Sequence, residues 1–205
     1  ALAKAGTCTL TLSNAANTYN GATTINAGTL SVTGNISSSA LTINSGGNLT
    51  GTGTVGAVTL NTGGMIGAGT GTSTVGKLTG TSLTIGAGTG YAVTIGSATG
   101  TAGTDYDQIS LSGGLTLNNT AASPFTVYLY GTPTGWSNTG IYIFDIISAD
   151  SLSGTFTAGN FTTNTSSFSG NTTGGTWTFS NPSTGIIRLS YAGSSGNSTW
   201  NTTTG

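Results

Sequence analysis

Seven charged side chains carry all the acid–base chemistry available to this chain of 205 residues: Asp105, Asp107, Asp145, Asp150, Lys4, Lys77 and Arg188, with no histidine and no glutamate. Only two of them stand close together, in Asp105-Tyr106-Asp107-Gln108. An Asp-x-Asp turn ahead of a strand can begin a calcium site, because that cation takes about six to eight oxygens, and Gln108 and backbone carbonyls can add to the carboxylates. The same residues also suit an Asx-type turn that caps the strand Ile109-Ser110-Leu111, and no third carboxylate lies nearby. Asp145, between Phe144 and Ile146, is expected to face solvent. Without histidine there is no ready general base, and the many serines and threonines have no positioned base to activate them. Stabilising charge that develops in a transition state takes a held cation or a positioned Arg or Lys beside the carboxylates, and the seven charges are too scattered for that. The expectation is a protein that is not an enzyme. Gly69-x-Gly71 and Gly86-x-Gly88-x-Gly90 are not read as phosphate loops, since no helix follows and no lysine has the required spacing.

Two other residue types invite attention. Trp136 and Trp177 are candidates either for a platform on which a sugar ring stacks or for the packing of a structural cap. Cys8, the single cysteine, shares parity with Leu10 and Leu12 and is expected to point inward as a small apolar residue. The alternative is a disulfide to another molecule.

The elements that carry these residues show themselves in residues 22–70. Ala22-Thr23-Thr24-Ile25-Asn26, Ala40-Leu41-Thr42-Ile43-Asn44 and Ala57-Val58-Thr59-Leu60-Asn61 repeat one pattern at a spacing of 17–18 residues. Residues of equal parity share a strand face. Each copy therefore puts two side chains inward (Thr23 and Ile25, Leu41 and Ile43, Val58 and Leu60) and one threonine outward. Ala27-Gly28, Ser45-Gly46 and Thr62-Gly63 then supply corner chemistry. So short a strand buries nothing by itself, but stacked copies about 4.8 Å apart bury a continuous core. The pattern predicts an all-β fold, a parallel β-helix (β-solenoid), with ladders of Ile25, Ile43 and Leu60 inside and of Asn26, Asn44 and Asn61 at the corner. A sandwich would account for the strands but not for the shared Asn-x-Gly corner. Ser82–Gly86 repeats the strand signature after a Gly/Thr-rich insertion, and Tyr91–Ile95 is a further strand.

From residue 123 the strands lengthen and become more aromatic (Phe125–Tyr130, Ile141–Ile147), and others are expected at Gly154–Ala158, Trp177–Phe179 and Ile186–Tyr191. The reading divides the chain into solenoid coils over 1–122, an antiparallel C-terminal β module over 123–192, and a Ser/Asn/Thr-rich tail over 193–205 that holds Trp200. The module is either a sandwich-like cap or the last, distorted coils.

Residues 1–34 carry a resemblance. Leu2-x-Lys4-x-Gly6-x-x-Thr9-Leu10-x-Leu12-Ser13, then Ala16-Asn17-Thr18-Tyr19-x-Gly21-x-Thr23-x-Ile25-Asn26-x-Gly28-Thr29-Leu30-x-Val32, is similar to the autotransporter-associated β-strand repeat, also called the passenger-associated transport repeat. It spans about a sixth of the chain, and Cys8 departs from the small polar residue or Gly expected there. The resemblance implies a β-helical, non-catalytic segment of a secreted or surface-displayed bacterial protein.

Charged residues are 3% of the chain and the net charge is −1. That excludes the basic footprint of a nucleic-acid binder and leaves little repulsion between copies. No apolar run is long enough to span a membrane as a helix. No polar capping element precedes Leu10 and Leu12. The function expected is a structural extracellular protein that associates with copies of itself, head to tail, in a filament or surface layer. One alternative is a surface adhesin that binds glycans through Trp136 and Trp177. The other is an ice-binding solenoid presenting Thr24, Thr42, Thr59 and Thr84. No cofactor is expected beyond the calcium considered for Asp105 and Asp107.

Overall fold

The computed structural model describes residues 1–194; Trp200 and most of the tail lie outside them. The chain winds through seven coils, each giving one strand to a seven-stranded parallel sheet. The first coil holds β1 (Leu2–Lys4) and β2 (Thr9–Leu12), and the second holds β3 (Thr23–Ile25) and β4 (Gly28–Val32). The third adds β5 (Asn35–Ile36), β6 (Leu41–Ile43) and β7 (Gly47–Thr50), and the fourth β8 (Thr54–Leu60) and β9 (Met65–Gly67). The fifth holds β10 (Lys77–Ile85) and β11 (Gly90–Thr94), and the sixth β12 (Gln108–Leu111), β13 (Gly114–Leu117) and β14 (Phe125–Gly131). The seventh holds β15 (Ile141–Ser148), β16 (Ser151–Ser153) and β17 (Phe161–Phe168), and β18 (Thr176–Ser180) and β19 (Ile186–Ala192) close the chain.

Pairing sorts these strands into three flanks. The first stacks β1, β3, β6, the second halves of β8 and β10, β13 and β16. The second stacks β5, the first halves of β8 and β10, β12 and β15, then turns antiparallel through β19 and β18. The third is the seven-stranded sheet, from β2 to β17. The predicted register holds: Ile25, Ile43, Leu60, Ile85 and Leu117 lie one above another on the first flank. On the third, Leu10, Leu30, Leu49, Ile66, Tyr91, Val127 and Thr163 form one inward column. Except at the ends these side chains are buried, each worth about 1.5–3 kcal/mol in apolar transfer. Gly28, Gly46 and Gly63 turn the corner with φ of 65°, 80° and 76°, a left-handed conformation that costs glycine nothing. Their amides form a ladder of their own, from Gly28 to the carbonyl of Gly46 at 3.0 Å and from Gly46 to that of Gly63 at 3.2 Å.

Four sequence expectations change. Parallel stacking runs on across residue 123, because β14 pairs with β11 and with β17; among the described residues the antiparallel strand ladders join β15, β19 and β18. Gly154–Ala158 is not a strand: Gly154 turns with φ 87°, a 3₁₀ turn follows at Ala158–Asn160, and the strand is Phe161–Phe168. That strand is hard to recognise because only its two end residues are apolar. Cys8 is exposed and Leu10 is 36% exposed, although Leu10 has the inward register; among the described residues β2 is the outermost strand of its sheet and no further strand covers it. The polar cap of the N-terminal end sits inside the first strand rather than before it. Lys4 takes the inward place that Ile25 and Ile43 hold in the next coils, and is 7% exposed. Its Nζ donates to the carbonyl oxygens of Gly6 and Ala27. The lysine stem covers the core while the ammonium reaches back to the corner.

Candidate functional site

The residues singled out by the sequence divide between the outward surfaces and the core. At the corner after the first flank, Asn44 Nδ2 donates to Asn26 Oδ1 at 2.7 Å, and Asn61 Nδ2 to Asn44 Oδ1 at 2.8 Å. The asparagine ladder ends at Gly86, whose amide bonds the Leu60 carbonyl where an asparagine stood before. A second amide pairing, unforeseen, ties the last coils: Asn119 Nδ2 donates to the Asn160 carbonyl at 2.7 Å and Asn160 Nδ2 to the Asn119 carbonyl at 3.0 Å. Tyr19 packs against the core from its loop. Its hydroxyl lies 3.1 Å from Thr23 Oγ1, which in turn lies 2.7 Å from Ser39 Oγ. That chain of hydroxyls satisfies a threonine placed inside an aliphatic ladder.

The threonine row is longer than the sequence pattern showed. Thr24, Thr42, Thr59, Thr84 and Thr116 are register neighbours in five successive coils, with Ser153 next in the seventh. Thr116 escaped notice because Leu115-Thr116-Leu117 lies in a coil whose flank is split between β12 and β13.

The two acidic neighbours do separate work. Asp105 accepts the Thr101 amide at Oδ2, 2.7 Å away, closing a turn. Asp107 is fully buried; its Oδ1 accepts the Gly76 amide at 2.7 Å and its Oδ2 the Thr94 amide at 2.8 Å. It thereby pins the far end of the insertion between β9 and β10 to the end of β11. Burial, only partly offset by these donors, pushes its pKa from 3.8 up to about 7. Among the described residues no three acidic, cysteine or histidine side chains gather where a metal could be held.

Asp145 faces outward on β15, half-exposed, and is not alone. Arg188 of β19, its register partner, donates from Nε to Oδ1 at 2.6 Å and from Nη2 to Oδ2 at 3.0 Å. A half-exposed pair of this kind is worth at most about 1 kcal/mol. Trp136 and Trp177 do come together, ring centroids 5.7 Å apart and stacked. Around them lie Tyr142, Phe168 and Tyr191, with centroids 4.6, 4.9 and 4.8 Å from Trp136. Trp136 Nε1 donates to the Asn171 carbonyl at 2.9 Å. Both indoles are half-buried against the core, so ring packing at the C-terminal end occupies much of their surface.

Repeated parallel coils, corner ladders and an uncharged hydroxyl surface define a β-solenoid. Residues 2–32 match the family model of the passenger-associated-transport-repeat. The match runs from the first residue of β1 to the last of β4, so one copy of the repeat makes two coils, and Lys4 lies within it. No curated protein matches the chain. No helix among the described residues is long and apolar enough to cross a membrane.

Proposed function

We propose that this chain is a non-catalytic structural protein of the bacterial exterior, secreted or displayed in the manner of an autotransporter passenger, whose solenoid stacks end to end in a filament or surface layer. What supports this most is the state of its two ends. Among the described residues β1 and β2 each pair on one side only, and so do β16 and β17, on the same two flanks. Unpaired strand edges recruit further strands, and a contact between unlike ends propagates into fibres. A net charge of −1 offers little repulsion to oppose it. The transport repeat supports export. Negative-stain electron microscopy of the purified protein is expected to show long fibres one solenoid wide. Thr11→Pro is expected to abolish them and leave folded monomers. The carbonyls of Cys8 and Leu12 accept bonds from the β4 side, so the amide of Thr11, of opposite parity, points to the free edge, where proline is tolerated. A wild-type protein that stays monomeric at high concentration overturns the proposal.

A second reading is favoured by the threonine row of five coils. Regular hydroxyls on an uncharged face can order water as ice does. Thermal hysteresis that Thr59→Lys removes would establish it, and no hysteresis at millimolar protein would dismiss it.

A further inference from the structure

We infer that the junction between copies is a continuation of the third flank, with β2 of one molecule added in register to β17 of the next, so that Leu10 enters a slot at the C-terminal end. This rests on the end-to-end reading above and names its contact. Three observations carry it. First, the slot exists: a cavity of about 400 Å³ lies between the last strands of two sheets, lined by Phe161 and Thr163 of β17 and by Trp177 and Phe179 of β18. Its walls carry no charge, and the Nε1 of Trp177 is buried without a hydrogen-bond partner. Second, the opposite end holds what fits it. Leu10 is 36% exposed while its column neighbours Leu30 and Leu49 are wholly buried. Lys4, the charged side chain of that end, turns its ammonium back to the carbonyls of Gly6 and Ala27.

Third, the register is continuous. The inward column that starts at Leu10 ends at Thr163, a polar residue where every earlier coil has an apolar one. The outward column that starts at Thr9 passes Thr29, Asn48, Met65, Gly90 and Thr126 and ends at Thr162. One more layer therefore sets Leu10 of the incoming copy over Thr163, against Phe161, Phe179 and Trp177, and sets its Thr9 over Thr162. The first flank continues in the same step, β16 meeting β1. The second flank takes no part: it runs out in antiparallel β19 and β18, and the residues that lead from β2 to β3 make turns rather than a strand.

Adjacent in-register residues of neighbouring strands lie about 4.8 Å apart, within the span that a disulfide bridges. The test is the chain with Cys8→Ser, Thr9→Cys and Thr162→Cys, oxidised and run on a non-reducing gel. Both introduced cysteines are on exposed outward positions, and within one molecule they are separated by the full stack, about 30 Å at that spacing, so they cannot close on each other. The expected result is a covalent ladder of trimers and larger species, at least tenfold more abundant than in either single-cysteine chain. Dimers from Thr9→Cys alone mean that like ends meet, and overturn the inference. Fibres by microscopy without a covalent ladder mean that another surface joins the copies; the inference falls and the end-to-end reading stands. No assembly of the wild-type chain by light scattering removes both.

Discussion

Tyr91→Ala is expected to lower the unfolding free energy by about 3–5 kcal/mol, the range for truncating a buried aromatic residue. Tyr91 is the largest residue of the third-flank inward column and is 0% exposed. It does more than fill its layer. Its hydroxyl crosses the core from β11 and donates to the Ile146 carbonyl of β15 at 3.3 Å, joining the third flank to the second. Truncation leaves a void between Ile66 and Val127, its register neighbours, and removes the hydroxyl's bond to the Ile146 carbonyl. The coils above and below are held in rigid pairing, so the gap cannot collapse by sliding one layer. Tyr91→Phe keeps the volume and removes only the hydroxyl, with an expected loss of about 0.5–1.5 kcal/mol. Urea unfolding followed by far-ultraviolet circular dichroism measures both. Against a stability of about 5–15 kcal/mol for an ordinary domain, the alanine variant should unfold at a visibly lower midpoint. A loss below about 1 kcal/mol, less than burial alone implies, would mean the core is not closed around this ring.

Stability should fall as pH rises through the range from about 4 to about 7, and one side chain should account for it. In the unfolded chain the carboxyl of Asp107 titrates near 3.8, whereas in the folded protein burial holds it at about 7. Between those values the folded state keeps a proton that the unfolded state has released, so each step upward in pH favours unfolding. The stabilisation is complete below pH 4 and gone above pH 7. A shift of about three units corresponds to about 4 kcal/mol at most. The chain has no histidine and three other acidic side chains. The urea midpoint is therefore expected to drop between pH 4 and pH 8 in the wild type and to stay level in Asp107→Asn. An equal slope in both would remove Asp107 as its source.

The repeating part of this fold was legible because each coil states the same instruction. The triplets ending in Ile25, Ile43 and Leu60 give face, register and corner together, and the structure pairs them so. Parity, however, says which way a side chain points and not whether anything lies above it. That is why Cys8, expected inward by its parity with Leu10 and Leu12, emerges on the surface. Contacts between distant parts of the chain left no local trace. Asp107 meets Gly76, 31 residues earlier, and Asp145 meets Arg188, 43 residues later. The strand Phe161–Phe168 was hidden for another reason: its partner β14 supplies the apolar residues, and its own middle is Thr, Asn and Ser. Lys4 inverted the usual reading, since a charged residue in a strand is taken to face water, yet here it closes the core from within.

The scarcity of basic residues has a consequence for how the chain meets proteases. A protease that cuts after lysine or arginine finds three places in the whole chain, and all three lie within strands. Lys4 is tucked beneath the first coil with its ammonium engaged, Lys77 begins β10, which is paired to strands on both sides, and Arg188 is clamped to Asp145 in the middle of β19. Cleavage at any of them needs a stretch of strand to be peeled out of its ladder first. Resistance to digestion by trypsin-like enzymes is thus built into the composition before packing adds to it.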